Sequence, residues 1–184
     1  MWHDGVYDST NKNIIMQYWD YKMDENRINY INEGRKTIYS PCSQFYFNDP
    51  YAELPLVRTY NRGIHLTNLN RKAYKNILGM ECCIWTEWVD NNNMLEFNTN
   101  PRLQAFFQKL YKQPAVRPWT SMVNHDFKDF VNRIEDSNDF YKYHNIVRAP
   151  KNIYLARGEK YRNHISSLYR KDKKEIEYEI AFKK

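Results

Sequence analysis

Residues 77–90 read Ile-Leu-Gly-Met-Glu-Cys-Cys-Ile-Trp-Thr-Glu-Trp-Val-Asp. The stretch begins apolar, carries a carboxylate and two cysteines in its middle, and ends in aromatics and carboxylates. That pattern predicts a strand that leaves a buried core and delivers its last side chains to a site. A core strand with an ordinary polar end gives the same pattern, so the reading depends on whether other stretches repeat it. Two do. Ile14–Trp19 is a short apolar run that ends in aromatics before Asp20, and Thr37–Ser40 is a second, broken by Pro41. The loop that follows, Cys42–Pro50, is crowded with aromatics and amides.

The segments between these strands have a different period. Between Met23 and Gly34, Ile28, Tyr30 and Ile31 are spaced for one face of a short helix, with Gly34 as its stop. Residues 51–76 are expected to be mostly irregular, with a helical turn at Leu69–Tyr74. Asn98–Asn100 followed by Pro101 reads as a helix start. Leu103, Phe106, Phe107, Leu110 and Tyr111 then mark one face, and the helix should stop before Pro114. Phe127, Phe130, Val131 and Ile134 mark a further helix after an Asn124 cap. Strand, helix, strand, loop, strand, helix, helix is an α/β order with parallel strands. All three strands release their polar and aromatic residues at the C-terminal end, where a (β/α) barrel keeps its site. Residues 137–174 are polar and poorly periodic. Glu175–Phe182 alternates strictly, which suits a half-exposed strand or, as the rival, a solvated helix.

Composition removes several classes. Aromatic residues make up 16% of the chain and glycines number only 5, which excludes collagenous and low-complexity chains and argues against wholesale disorder. The net charge of +6 is uneven: residues 98–184 hold 18 basic and 10 acidic side chains. A basic tail can attract an anionic surface, and it is equally what a solvated Lys-rich terminus gives. No Arg-rich block with interleaved aromatics stands out, so nucleic acid is not the expected partner. Cys42, Cys82 and Cys83 form neither a disulfide framework nor a zinc spacing. They are expected to be buried free thiols in a reducing compartment, and no metal or cofactor is expected. The first residues lack the features of a signal peptide, and no apolar run approaches the length of a membrane span.

Gathered from the strand ends, the candidate site residues are Trp2, Trp19, Tyr46, Asn48, Trp85 and Glu87. Three indoles from three strand ends suit the flat apolar face of a sugar ring or a small methyl group. A carboxylate and an amide can hydrogen-bond sugar hydroxyls. A tyrosine hydroxyl can donate to a carbonyl or stabilise developing charge.

The same stretches resemble a known family. Residues 77–89, then Leu95-Glu-Phe97 and Asn100-Pro-Arg-Leu-Gln-Ala105, are similar to the last barrel strand and last helix of family 20 glycoside hydrolases, the β-N-acetylhexosaminidases. That family's motif reads roughly GxExCxWxE followed by PRxxAxAE. Tyr18-Trp19-Asp20 resembles the sixth-strand motif, Ser40–Asn48 the seventh-strand motif, and Met1–Asp4 the end of the fifth strand. The resemblance implies a partial TIM (β/α)8 barrel, from about the end of strand 5 to helix 8, over residues 1–136. Residues 137–184 would be a basic C-terminal extension. It implies hydrolysis of terminal non-reducing N-acetyl-D-hexosamine from β-N-acetylhexosaminides, with N-acetylglucosamine- or N-acetylgalactosamine-terminated glycans as substrates. Trp2, Trp19 and Trp85 would wall the pocket for the 2-acetamido group. Tyr46 would act in catalysis by hydrogen-bonding the acetamido carbonyl oxygen, and Glu87 would bind the 4- and 6-hydroxyls.

Three departures qualify that expectation. Asn48 stands where the family usually has an aspartate. Phe106, Phe107, Gln108 and Lys109 replace an alanine-rich, Glu-containing run. The acid/base pair of this substrate-assisted chemistry lies in a His-x-Gly-Gly-Asp-Glu context, which the sequence lacks. Asp24-Glu25 is the only Asp-Glu dipeptide and has no such context. The chain is therefore expected to be a fragment, inactive alone, with the missing N-terminal half of the barrel as a partner. The alternative is a catalytically inactive amino-sugar-binding or interaction domain.

Overall fold

A computed structural model describes residues 11, 13–20, 25–61, 66, 68–86, 89–111 and 125–155. Its sheet has three parallel strands in the order β1 (Met16–Tyr18), β2 (Thr37–Tyr39) and β3 (Ile77–Met80). Parallel neighbours need a crossover, and the chain supplies helices for it. Helix α1 (Glu25–Asn32) links β1 to β2. Helices α2 (Cys42–Phe45) and α3 (Leu56–Asn61) and a 3₁₀ helix at Arg71–Asn76 link β2 to β3. Then come α4 (Asn92–Thr99), α5 (Arg102–Tyr111), α6 (His125–Asp136), α7 (Asn138–Tyr143) and α8 (Lys151–Tyr154). None of the described helices is long and apolar enough to cross a membrane.

Each strand is shorter than the apolar run that marks it. Ile14 is drawn into a turn on the Asn11 carbonyl, so β1 begins only at Met16. Met16 and Tyr18 face the helices, as the period of two requires. Gln17 points to the other face, where its amide donates to the Glu81 carboxylate. Gly34 ends α1 at φ +105°, a conformation open to glycine because it has no Cβ. The Asn76 amide then donates to the Ile31 carbonyl at 2.8 Å and occupies an acceptor at that helix end.

The core has two apolar clusters, of which the first packs on the sheet. In the first, Tyr18 stacks on Tyr39 at 5.5 Å, and Phe45 meets both Tyr39 and Phe106 edge-on. The second joins Tyr51, Phe97, Phe130, Ile134 and Ile153, which come from the loop before α3 and from three helices. Phe127, Phe130, Val131 and Ile134 are all buried, as the helical spacing predicts.

The loops differ from their sequence reading. Cys42–Phe45 is a helical turn, and Leu56–Asn61 a helix, inside stretches expected to be irregular. Their aromatics sit in the core and carry the backbone with them. Helix α4 starts on Asn91, whose side chain accepts the Met94 N–H at 2.9 Å. The first asparagine of the Asn91–Asn93 run is therefore the cap of this helix. Asn98 and Thr99 belong to the last turn of α4 and not to the start of α5, and Asn100 closes α4 with its N–H on the Glu96 carbonyl. The chain turns into α5 through a cis Asn100–Pro101 bond. The Glu175–Phe182 alternation and the Asn124 cap lie outside the described residues.

Residues 146–149 run beside the α4–α5 junction as a strap. The Val147 N–H donates to Glu96 at 2.7 Å and the Ala149 N–H to the Asn100 carbonyl at 3.0 Å. Arg148 pairs with Glu135 at 2.6 Å and donates to Asn138 at 3.2 Å, while the Tyr154 hydroxyl donates to the same Glu135 carboxylate. Burial raises the Glu135 pKa, but the Tyr154 hydrogen bond and Arg148 outweigh it and hold the carboxyl below the usual range.

A carboxyl depressed in the folded state stabilises the fold above its unfolded pKa of about 4.3, and that contribution is lost as pH falls through the folded value. E135Q is expected to lower stability by on the order of 1–3 kcal/mol at pH 7, the usual worth of hydrogen bonds to a charged group. Thermal unfolding of E135Q and the parent between pH 7 and 3 should show the gap closing below about pH 4.

Candidate functional site

The strand ends meet on one edge of the sheet. Beyond β2 and β3 the two chains separate and then pair once more, in an isolated parallel bridge between Tyr46 and Cys83. The Phe47 N–H donates to the Cys83 carbonyl and the Cys83 N–H to the Phe45 carbonyl, both at 2.8 Å. Helix α2 fills the gap on the β2 side, and its N-terminal Cys42 N–H donates to the Trp19 carbonyl at 2.8 Å. The segment after β1, the turn after β2 and the segment after β3 are thus tied by backbone hydrogen bonds.

Three of the six candidates come together on this edge. The rings of Tyr46 and Trp85 lie 6.4 Å apart, tilted by 38°. The Trp85 side chain lies close enough to the Tyr46 phenol to act on it, opposing the rise that burial causes. Asn48 is buried, and its Oδ1 accepts the Trp85 backbone N–H at 3.4 Å. Trp19 follows β1 on the same edge, half-buried, next to Asp20, whose carboxylate pairs with Arg27 at 3.2 Å. Trp2 and Glu87 lie outside the described residues. Trp85 is 45% exposed, so an indole face is open to solvent at the end of the third strand.

The electrostatics keep Tyr46 protonated. Burial first, and then the neighbouring Cys83, push its phenol up to about 12, against the opposing Trp85 side chain. Tyr46 and Ser40 lie beside the Cys83 thiol and act to lower its pKa. Burial, with Glu81 nearby, raises that thiol to about 11, so it stays protonated at neutral pH. Sulfur is a weak acceptor. A stronger acceptor arriving at Tyr46, such as an amide carbonyl, would displace that contact at low cost. The arrangement offers a neutral phenol donor, a flat indole face and a buried amide within one small patch.

Cys83 escapes the sequence reading as part of this patch. Period-two alternation places it on the same side as Trp85, but nothing local says that Tyr46 lies opposite. The cysteines are free, with Cys42 buried and Cys82 packed against the core. Among the described residues no group of three or more His, Cys, Asp or Glu is arranged to hold a metal ion. Glu25 is exposed in the first turn of α1, where acidic residues favour the helix dipole; Asp24 lies outside the described residues.

Comparison with known proteins bears on what this patch belongs to. The family model of the glycosyl hydrolase family 20 catalytic domain matches residues 1–114. The curated β-hexosaminidase subunit B2 of Dictyostelium discoideum is 27% identical over 164 residues, covering 83% of this chain and 26% of that protein. The β-N-acetylhexosaminidase of Streptomyces coelicolor A3(2) superposes with a TM-score of 0.62 at 18% identity, over 80% of this chain and 31% of that one. The exo-β-N-acetylglucosaminidase of Vibrio harveyi, solved with N-acetylglucosamine bound, gives 0.59 at 19% identity, over 77% and 22%. These structural neighbours are TIM-barrel enzymes, and the parallel strand-and-helix order found here is consistent with a partial α/β fragment of that fold. The chain spans about a quarter of the length of the curated relative it matches. With well over half of its residues matched by the family model and the same fold among its structural neighbours, the chain belongs to glycosyl hydrolase family 20, over part of the catalytic domain.

Proposed function

We propose that this chain supplies the acetamido-pocket side of a β-N-acetylhexosaminidase active site. The reaction would be hydrolysis of terminal non-reducing N-acetyl-D-hexosamine from β-linked glycans. The observation that carries this reading is the Tyr46–Trp85–Asn48 patch, built across the Tyr46–Cys83 bridge at the strand ends. Trp19, Trp85 and Trp2 would wall the 2-acetamido group, and Glu87 would hold the 4- and 6-hydroxyls. The span is then the end of strand 5 through helix 8 of the barrel, with β1 to β3 as strands six to eight.

In the reaction proposed, the substrate's own acetamido oxygen attacks the anomeric carbon. Tyr46 donates a hydrogen bond to that oxygen and orients it, and the indoles exclude water around the methyl group. A proton donor for the leaving oxygen is also needed. The chain's 184 residues contain no His-x-Gly-Gly-Asp-Glu sequence, so that group would come from the complementary half of a barrel. Relatives solved with N-acetylglucosamine bound support an N-acetylglucosamine-type ligand. Asn48 favours a second reading, binding without turnover. It stands where the family usually has an aspartate, and its carbonyl is already committed to Trp85.

Calorimetry with N-acetylglucosamine and a chromogenic β-N-acetylglucosaminide assay separate these readings. The chain alone is expected to bind the sugar weakly, with turnover at least ~10²–10⁴-fold below that of a domain with its acid/base pair. W85A should weaken binding roughly tenfold, the loss of one aromatic face. Absence of binding by the parent chain would remove the pocket assignment. Titration of phenolate absorbance in the parent and in Y46F should differ by one group that ionises only near pH 12, against about 10 for an ordinary tyrosine. A difference centred at 10 would mean that Tyr46 is not enclosed as described.

A further inference from the structure

We propose that Arg102, the first residue of α5, is a positioning residue for this site, acting through the loop that carries Asn48 and through Asn48 on Trp85. The proposal rests on the pocket reading above for its link to sugar, but its geometry stands independently.

The side chain of Arg102 is fully buried. One terminal nitrogen, Nη1, donates to the carbonyls of Phe47 at 3.1 Å, Asp49 at 2.7 Å and Asn98 at 3.3 Å. The other, Nη2, donates to the Leu54 carbonyl at 2.7 Å. The guanidinium carbon sits 3.7 Å above the centre of the Tyr51 ring. Phe47 and Asp49 flank Asn48, so the peptide unit before Asn48 and the one after Asp49 are fixed to one rigid cation, while the unit between Asn48 and Asp49 is held by the Asp49 N–H on the Tyr46 carbonyl at 3.2 Å. The Phe47 N–H is held from the opposite direction by the Cys83 carbonyl at 2.8 Å. Asn48 is left with little backbone freedom, and its Oδ1 is presented to the Trp85 N–H at 3.4 Å. The line from helix to indole is therefore Arg102, the 47 and 49 carbonyls, Asn48, Trp85.

The chemistry selects arginine. A planar fork with donors on separate nitrogens can reach carbonyls from α4, from the turn after β2 and from Leu54 at once. A lysine carries one nitrogen, so it loses the Leu54 carbonyl that Nη2 holds and the planar stack on Tyr51. A role confined to stability would end at the core, where Tyr51 and Phe97 already bury apolar surface. The flanking of Asn48 extends it to the site.

The test uses the full 184-residue chain with 15N labelling. R102K is compared with the parent in melting temperature, in the Trp85 indole and Asn48 side-chain amide resonances (assigned with W85F and N48A), and in N-acetylglucosamine titration. The expected result is a folded R102K whose Ala149 and Ile153 amides stay in place, whose Trp85 and Asn48 signals move, and whose sugar affinity falls at least tenfold. Unmoved Trp85 and Asn48 signals would overturn the proposal, whatever the melting temperature does. Should R102K not fold, N48A carries the test: Arg102 keeps its carbonyls and its slowly exchanging guanidinium protons, while the Trp85 signals must shift. Unshifted signals in N48A would equally overturn it. A parent that binds no sugar counts against the pocket reading alone, because the resonances still decide the positioning.

Discussion

A guanidinium with no exposure to solvent sets the strictest condition on this fold. Taking a charge out of water costs several kcal/mol unless hydrogen bonds replace the lost hydration. Arg102 meets that condition with carbonyls from Phe47, Asp49, Leu54 and Asn98, and with the face of Tyr51. Those groups come from the end of α4, from the turn after β2 and from the loop before α3, so none can shift without stranding the charge. The Tyr51 hydroxyl closes the arrangement by donating to the Asn100 carbonyl at 2.9 Å. The α4–α5 corner and the loop next to the site are therefore one unit.

That unit is held from both sides. On the sheet side, the Tyr46–Cys83 bridge renews the β2–β3 pairing after α2 interrupts it. On the helix side, the strap at 146–149 bonds to Glu96 and to Asn100, and Ala149, Ile153 and Tyr154 are buried in the same cluster as Tyr51 and Phe97. Residues well beyond the family-matched segment thus pack against its core. The Glu135–Arg148–Tyr154 clamp keeps them there. The other face of the sheet carries Leu78, 51% exposed, and the solvent-facing Gln17–Glu81 pair. Among the described residues no further strand pairs with β1 or β3.

Much of the fold was legible because it depends on local periodicity. Met16 and Tyr18 alternate, Phe127 to Ile134 recur at three and four, and Gly34 stops a helix. The failures share one cause. Cys42–Phe45, Leu56–Asn61 and Asn92–Thr99 are short, and too few apolar positions repeat within them to set a period. Their helicity comes from aromatics drawn into the core and from caps such as Asn91. The cap assigned to α5 was the end of α4, because Asn-Thr-Asn-Pro suits either end of a helix and only the packing of Phe97 chooses between them.

The sequence by itself determined the parallel α/β order, the residues at the strand ends and the family, since each is written in periodicity or in a contiguous motif. It left Arg102 as one letter of a motif and Cys83 as a thiol on a strand. Tertiary structure alone decided that Arg102 gathers the carbonyls around Asn48, and that Tyr46 faces Cys83 and Trp85. Both depend on contacts between residues 37 to 55 positions apart. Local pattern carries no information across such a distance; the burial of one charge and the pairing of two strand ends supply it.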